Sequence, residues 1–393
     1  MISARWITNR NFDLLWYISA AITGYALIYI NLALGVPALF LLWFWIITVD
    51  GPHVFGTLSR TFLDREEWTS RRKLFLTSLL WFLPGPLMLF AGVMLNTSLP
   101  FFIFIIFAQL WAYWHVVRQH YGFLTLYQKK NGEISGKANP IDYWMFYILM
   151  LAPFISFLLR NPEARSLLGL PVTLTQPEQI ILFVLHSLIA VTLIFYVAKE
   201  IRLVQQGKSW NLPKNLFLLA CIPLHLFLFL HPYVSTHVDV RMVAVFVTFY
   251  HNIQYHGIIW FYNRNRYGED RRGEKYGWAG KVSRSFLTYY AAGVLFTLAY
   301  RYPNWFFMGL NVPLAPGPNV VSAFALGPHF TVADLAYVLW WGFALNHYYL
   351  DQKIWKLSKD RKLTTDLKMD SVHPAPADSI TPSPLITAKN VKV

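Results

Sequence analysis

Runs of about twenty mostly apolar residues, separated by short loops, recur along nearly the whole chain. At ~1.5 Å of rise per residue, each run can cross the ~30 Å hydrocarbon core of a bilayer as one helix. In that solvent every backbone polar group needs an internal partner, which leaves helices as the structure such runs can adopt. The pattern predicts an all-α, polytopic integral membrane helix bundle of about ten transmembrane helices, near 14–34, 38–59, 74–95, 100–126, 142–160, 179–202, 214–231, 240–262, 285–301 and 332–352. Asp13, Asp142 and Asp334 precede or open apolar stretches as cap residues would. Residues 1–357 read as the transmembrane domain and 358–393 as a cytoplasmic, largely disordered tail, rich in Pro and small polar residues.

The basic residues set an orientation. Of 34 Lys and Arg, 29 fall in alternate segments that begin with the N-terminus and end with the tail. Arg160, Arg165, Arg241 and Arg301 fall on the other side. Such a bias predicts an even number of crossings, both termini cytoplasmic, in a cell's inner (cytoplasmic) membrane. It also accounts for the net charge of +14 without nucleic acid as a partner. The first apolar run is too long, and lacks a small-residue cleavage site, for a removed signal peptide. Cys221 is the single cysteine, so neither an intramolecular disulfide nor a thiolate metal cluster can form.

Against this apolar background the polar residues inside the helices stand out, and their default reading is functional. His53 closes the second span in Asp50-Gly51-Pro52-His53; His115 and His120 lie in the fourth, His251 and His256 in the eighth, and His347 in the tenth. Counting residues to the first inner basic side chain places His53, His120, His256 and His347 roughly 9–14 Å above the inner boundary. His115 and His251 form a deeper layer near ~20 Å. Neutral imidazole is a common ligand for transition metals, and helix bundles build such sites from facing helices. All six are candidate metal ligands; Asp50, Gln119, Gln254 and Asp351 are candidates to orient the rings or take part in the chemistry, with Asn252 and Asn346 as further polar neighbours. Arg118 needs an anionic partner, for which Asp50 is a candidate.

The spacing His-x4-His occurs in both the fourth and the eighth spans. Five residues turn a regular helix by about 500°, so the two rings point some 140° apart. Each pair therefore serves two adjacent metals, is drawn together by a π-bulge, or has one ring outside the coordination sphere. His186, His225, His231, His237 and His329 fall in the outer half and are expected to be packed or interfacial; His373 lies in the tail. Asp64-Arg65-Glu66-Glu67 and Glu269-Asp270-Arg271-Arg272 are expected to be solvated loop charge.

Nitrogen ligands without thiolate suit non-haem iron (Fe2+), as one or two ions, with other transition metals open. The class this favours is an oxygenase acting on a lipid-soluble substrate, such as a lipid or isoprenoid chain, with membrane lipids as surroundings and an electron-donor protein as a partner. A transporter or channel with a histidine-lined ion site, or a single-haem protein, are the alternatives. Asp50-Gly-Pro-His53 at an inner helix end, followed by histidines on later helices, resembles the bacterial and archaeal β-carotene 15,15′-oxygenases related to the bacterio-opsin accessory protein. That resemblance implies a polytopic fold and iron bound by scattered helix histidines, here His53, His120, His251 and His256. Membrane desaturases and alkane hydroxylases carry adjacent His-His pairs, which this chain lacks.

Overall fold

The computed structural model describes residues 1–134, 140–270, 272–307 and 325–369. Among these residues ten long helices follow the expected spans: α1 (Arg10–Leu32), α2 (Ala38–Thr61), α3 (Arg65–Met94), α4 (Leu99–Lys130), α5 (Pro140–Arg160), α6 (Gln176–Gln205), α7 (Leu212–Leu230), α8 (Val240–Tyr267), α9 (Phe286–Phe307) and α10 (Val332–Ile354). Among the described residues the fold is all-α, with one two-residue parallel pairing, β1 (Ile2–Ser3) with β2 (Trp210–Asn211), as its strand content. The first seven helices are long and apolar enough to cross a membrane. Helices α8 and α10 carry buried polar residues, His251, Asn252, Gln254 and His256 on one and Asn346, His347 and Asp351 on the other, and α2 and α4 add His53, Thr57, His115 and His120.

Helix starts are set by capping. Asp64 accepts from the amides of Glu66 and Glu67, and Thr175–Glu178 and Thr331–Asp334 form reciprocal capping boxes. Asp13 instead binds the amides of Ile7 and Thr8 and ties down the N-terminal segment. Asp142 accepts from Gln128 and pairs with Lys199, joining α4, α5 and α6.

The basic loops converge on one end of the bundle. The amide of Trp210 binds the Met1 carbonyl, Asn131 binds Arg5, Lys130 binds the Lys368 carbonyl, and Arg65 binds the Glu274 carbonyl. Asp64 corrects the sequence expectation for its segment: it is fully buried, and accepts from Arg266 and Tyr267. Arg60 is buried too, sandwiched between the rings of Tyr262 and Trp355. A short helix, Arg361–Asp366, folds back onto this end with Leu363, Leu367 and Met369 buried. The rest of the expected tail, and residues 308–324 of the outer loop, lie outside the described residues. At the opposite end, Asn161 donates to the carbonyls of Ser235 and Val238.

The approach of α2 to α9 fixes where the site sits. A side chain at Gly51 would come within 2.1 Å of Thr297, and one at Gly293 within 2.9 Å of Pro52. Small residues here let the two helices touch backbone to backbone. Ile46–Asp50 of α2 forms a π-turn just before Pro52, and Pro52 has no N–H to give the Thr48 carbonyl. Tyr290 of α9 supplies that bond at 2.8 Å. His256 of α8 donates through Nε2 to the next carbonyl, Val49, at 3.2 Å.

Candidate metal centre

Four of the six inner histidines meet in one buried cluster. Ring centroids lie 4.8 Å apart for His53–His251, 5.0 Å for His115–His251, 4.5 Å for His53–His347 and 4.8 Å for His115–His347. The rings come from α2, α4, α8 and α10. The two layers expected from sequence depth are thus not separate: His53 and His347 of one meet His115 and His251 of the other. Depth counts residues along an axis, whereas the tilt of each helix and the reach of each side chain decide which rings touch.

His53, His115 and His251 each offer a nitrogen within 4.8 Å of the others, and so do His115, His347 and Asp351 through one atom each. These groups can hold a metal ion. Their wiring favours it. His53 Nδ1, His115 Nε2 and His251 Nδ1 are buried with no protein partner. A buried ring nitrogen without a hydrogen bond is costly unless something else binds it.

The fourth ring is held for coordination. His347 Nδ1 lies 2.7 Å from the Thr57 hydroxyl, which donates at 2.6 Å to Asp351 Oδ1. Tyr255 donates to the same carboxylate oxygen at 2.9 Å. A hydroxyl that donates to Asp351 accepts from His347, so the imidazole proton sits on Nδ1 and the lone pair on Nε2. A carboxylate behind an imidazole, here through a threonine, is the arrangement that orients metal-binding histidines and raises their basicity. His347 Nε2 faces His53 Nε2 at 2.7 Å. That contact is a hydrogen bond; an ion ~2.1 Å from both nitrogens needs them roughly 3.0–3.4 Å apart, so the two rings must splay and give up the bond to admit a metal. Tyr348 stacks on His115 with centroids 4.5 Å apart and closes the cluster on that side.

The remaining candidates lie elsewhere. His256 uses both nitrogens, Nε2 to Val49 and Nδ1 to the Tyr289 hydroxyl at 3.3 Å, and leaves no lone pair for an ion. His120 turns toward α7, its ring 6.2 Å from His251. In each His-x4-His pair one ring faces the cluster and the other faces away, as a regular helix requires, and no π-turn interrupts α4 or α8. Gln119 donates to the His251 carbonyl at 2.8 Å, and Gln254 to the Tyr17 carbonyl at 2.9 Å. Asp50 is paired with Arg301 of α9 at 3.4 Å, and Arg118 donates to Tyr147. The expected Asp50–Arg118 pair does not form, because Asp50 leaves the π-turn facing α9 while Arg118 faces α5.

Thr57, Tyr255 and Tyr348 are site or neighbouring residues that sequence reasoning passes over, and His225, expected to be packed or interfacial, is fully buried with its ring 5.6 Å from His120. A signal for the first two was present. Each clustered histidine is followed four residues later, one turn along the same face, by a hydrogen-bonding side chain: Thr57 after His53, Gln119 after His115, Tyr255 after His251 and Asp351 after His347. Three of these build the network behind His347, and Gln119 clamps α4 to α8 at His251.

Compared with protein-family models, curated proteins and solved structures, the chain matches none. Its helices and buried histidine groups are those of a helical, membrane-type protein with a site able to bind a metal.

Proposed function

We propose that this chain is a membrane-embedded metalloenzyme whose histidine cluster holds non-haem iron and which oxidises or cleaves an apolar lipid or isoprenoid chain. The observation that carries the reading is the set of three buried, unpartnered imidazole nitrogens on three helices, beside a fourth ring backed by Thr57 and Asp351. A nitrogen-rich site with positions left open suits Fe(II), which when bound supplies dioxygen activation. Packed ring on ring, the histidines leave no gap for a porphyrin between them, which favours a bare ion over haem.

The surroundings support an apolar substrate. An open groove of about 520 Å³ runs beside α4 and α10, walled by Trp81, Trp111, Trp114 and Tyr349, with Lys353 at its end. Trp111 stands 6.2 Å from Tyr348, which stacks on His115. An aromatic groove on the flank of a membrane helix pair admits an apolar chain from the bilayer and brings it within two rings of the cluster. In this reading the chain sits in a cell's inner membrane with both ends cytoplasmic, and receives electrons from a partner protein. Tyr348 shields the ion from bulk water, and the Thr57–Asp351 network holds the proton on His347 Nδ1.

Metal analysis of detergent-purified protein tests the first step. Stoichiometric iron is expected, most of it lost in His251→Ala and kept in His237→Ala, whose imidazole binds the Tyr233 carbonyl outside the cluster. Oxygen uptake with prenyl-chain substrates then tests the chemistry. Protein without a stoichiometric transition metal, or equal loss in both variants, would count against the reading.

A further inference from the structure

Beyond the first cluster, two more imidazoles face one another in the core. His120 of α4 and His225 of α7 are fully buried, with centroids 5.6 Å apart and planes at 85°. Each Nδ1 is bonded to the carbonyl four residues back on its own helix, His120 to Val116 at 2.8 Å and His225 to Cys221 at 2.9 Å. A carbonyl accepts only, so each Nδ1 carries the proton and each Nε2 a lone pair. Both Nε2 atoms are buried with no protein partner. Two lone pairs cannot satisfy each other; each calls for a cation or a proton donor, which one bound group between the rings can supply to both.

The geometry points to a second metal position, a divalent transition ion held by His120 Nε2 and His225 Nε2 with His251 as the nearest third ring. An ion ~2.1 Å beyond each nitrogen sets the centroids of two tetrahedrally placed imidazoles roughly 5 Å apart. The His120–His225 separation is close to that, as are those inside the first cluster. Nδ1–H bonded to a carbonyl is the usual orienting contact of a metal-bound histidine. Tyr113, Phe217 and Tyr250 wall the pair, with centroids 5.1–6.2 Å from one or other imidazole. His251 joins the two positions, its ring 6.2 Å from His120 and 5.0 Å from His115. The assignment rests on the reading of the first cluster as a metal centre and extends it to a dinuclear one.

Metal-depleted full-length protein, titrated with Co(II) and analysed for bound metal after gel filtration, tests this. Two ions per chain are expected in the wild type, one in His225→Gln, one in His53→Ala, and none in the double variant. Wild-type binding of a single ion that His53→Ala abolishes and His225→Gln leaves unchanged overturns the second position while the first reading stands. No binding by the wild type overturns the first reading. Should His225→Gln fail to fold, the wild type loaded with Cu(II) decides alone. A dipolar-coupled EPR spectrum at saturation is expected, and an isolated-ion spectrum with one copper per chain refutes the proposal.

Discussion

Replacing Thr57 by valine is the sharpest test of how the first centre is wired. Valine keeps the shape of threonine but removes the hydroxyl, which touches His347 Nδ1 at 2.7 Å, Asp351 Oδ1 at 2.6 Å and the Tyr255 hydroxyl at 2.5 Å. Asp351 retains its bond from Tyr255. His347 loses the partner of its Nδ1–H inside a closed core. Leaving such a donor unsatisfied costs about 1–3 kcal/mol. Loss of an orienting contact behind a metal ligand typically weakens binding about 10–100-fold, which is roughly 1.4–2.7 kcal/mol. The first cost falls on stability with or without the ion, and the second on binding, so Thr57→Val should raise the metal Kd by one to two orders of magnitude in a folded, somewhat less stable protein. Thr57→Ser, which keeps the hydroxyl, should stay within about threefold of wild type on the same scale. Competition against a chelator of known affinity gives the Kd, and circular dichroism reports the fold. Wild-type affinity in Thr57→Val, or equal weakening in Thr57→Ser, would refute the reasoning.

Four further outcomes are expected. His256→Ala should keep its metal but lower thermal stability by about 1–3 kcal/mol, because it strips a donor from the Val49 carbonyl; metal loss equal to His251→Ala would contradict this. Gly51→Ala should drive α2 from α9 and cost about 1–3 kcal/mol or abolish assembly, read as loss of monodisperse protein in detergent, while Gly35→Ala, with nothing within 4 Å but a left-handed backbone, should strain only its own turn. Reporter fusions after residues 97, 132, 236 and 275 should read outside, inside, outside, inside, and one inverted report would break the even-crossing topology. Metal occupancy should fall as pH is lowered, since protons compete with the ion for imidazole lone pairs; occupancy that rises on acidification would exclude histidine ligation.

Much of the architecture was legible because apolar length and loop charge are one-dimensional properties. The ten helices lie where the runs lie, and the basic loops gather at one end. Which imidazoles share a site was less legible. The 140° turn between His251 and His256 shows that one must face away, but not which one, since that depends on how α8 is rotated against α2 and α9. His256 loses its place to a backbone need, the Val49 carbonyl beside a π-turn that no periodicity reveals. His225 has no partner visible along the chain, because its neighbour, His120, lies 105 residues earlier (225 − 120) on another helix. Asp64 looked like loop charge, and its burial follows from Arg266 and Tyr267 folding over it.

The distance along the chain between His53 and His347 has a temporal meaning. Their Nε2 atoms meet at 2.7 Å across 294 residues of sequence. A ribosome adding ~5–20 residues per second needs roughly 15–60 s to make that stretch. For that interval the network of Thr57, His347 and Asp351 is incomplete, whereas His53, His115 and His251, on α2, α4 and α8, are all made before α10. If the cluster is a metal centre, its fourth ring and the carboxylate behind it can join only once α10 is made, so a chain stopped before α10 lacks both.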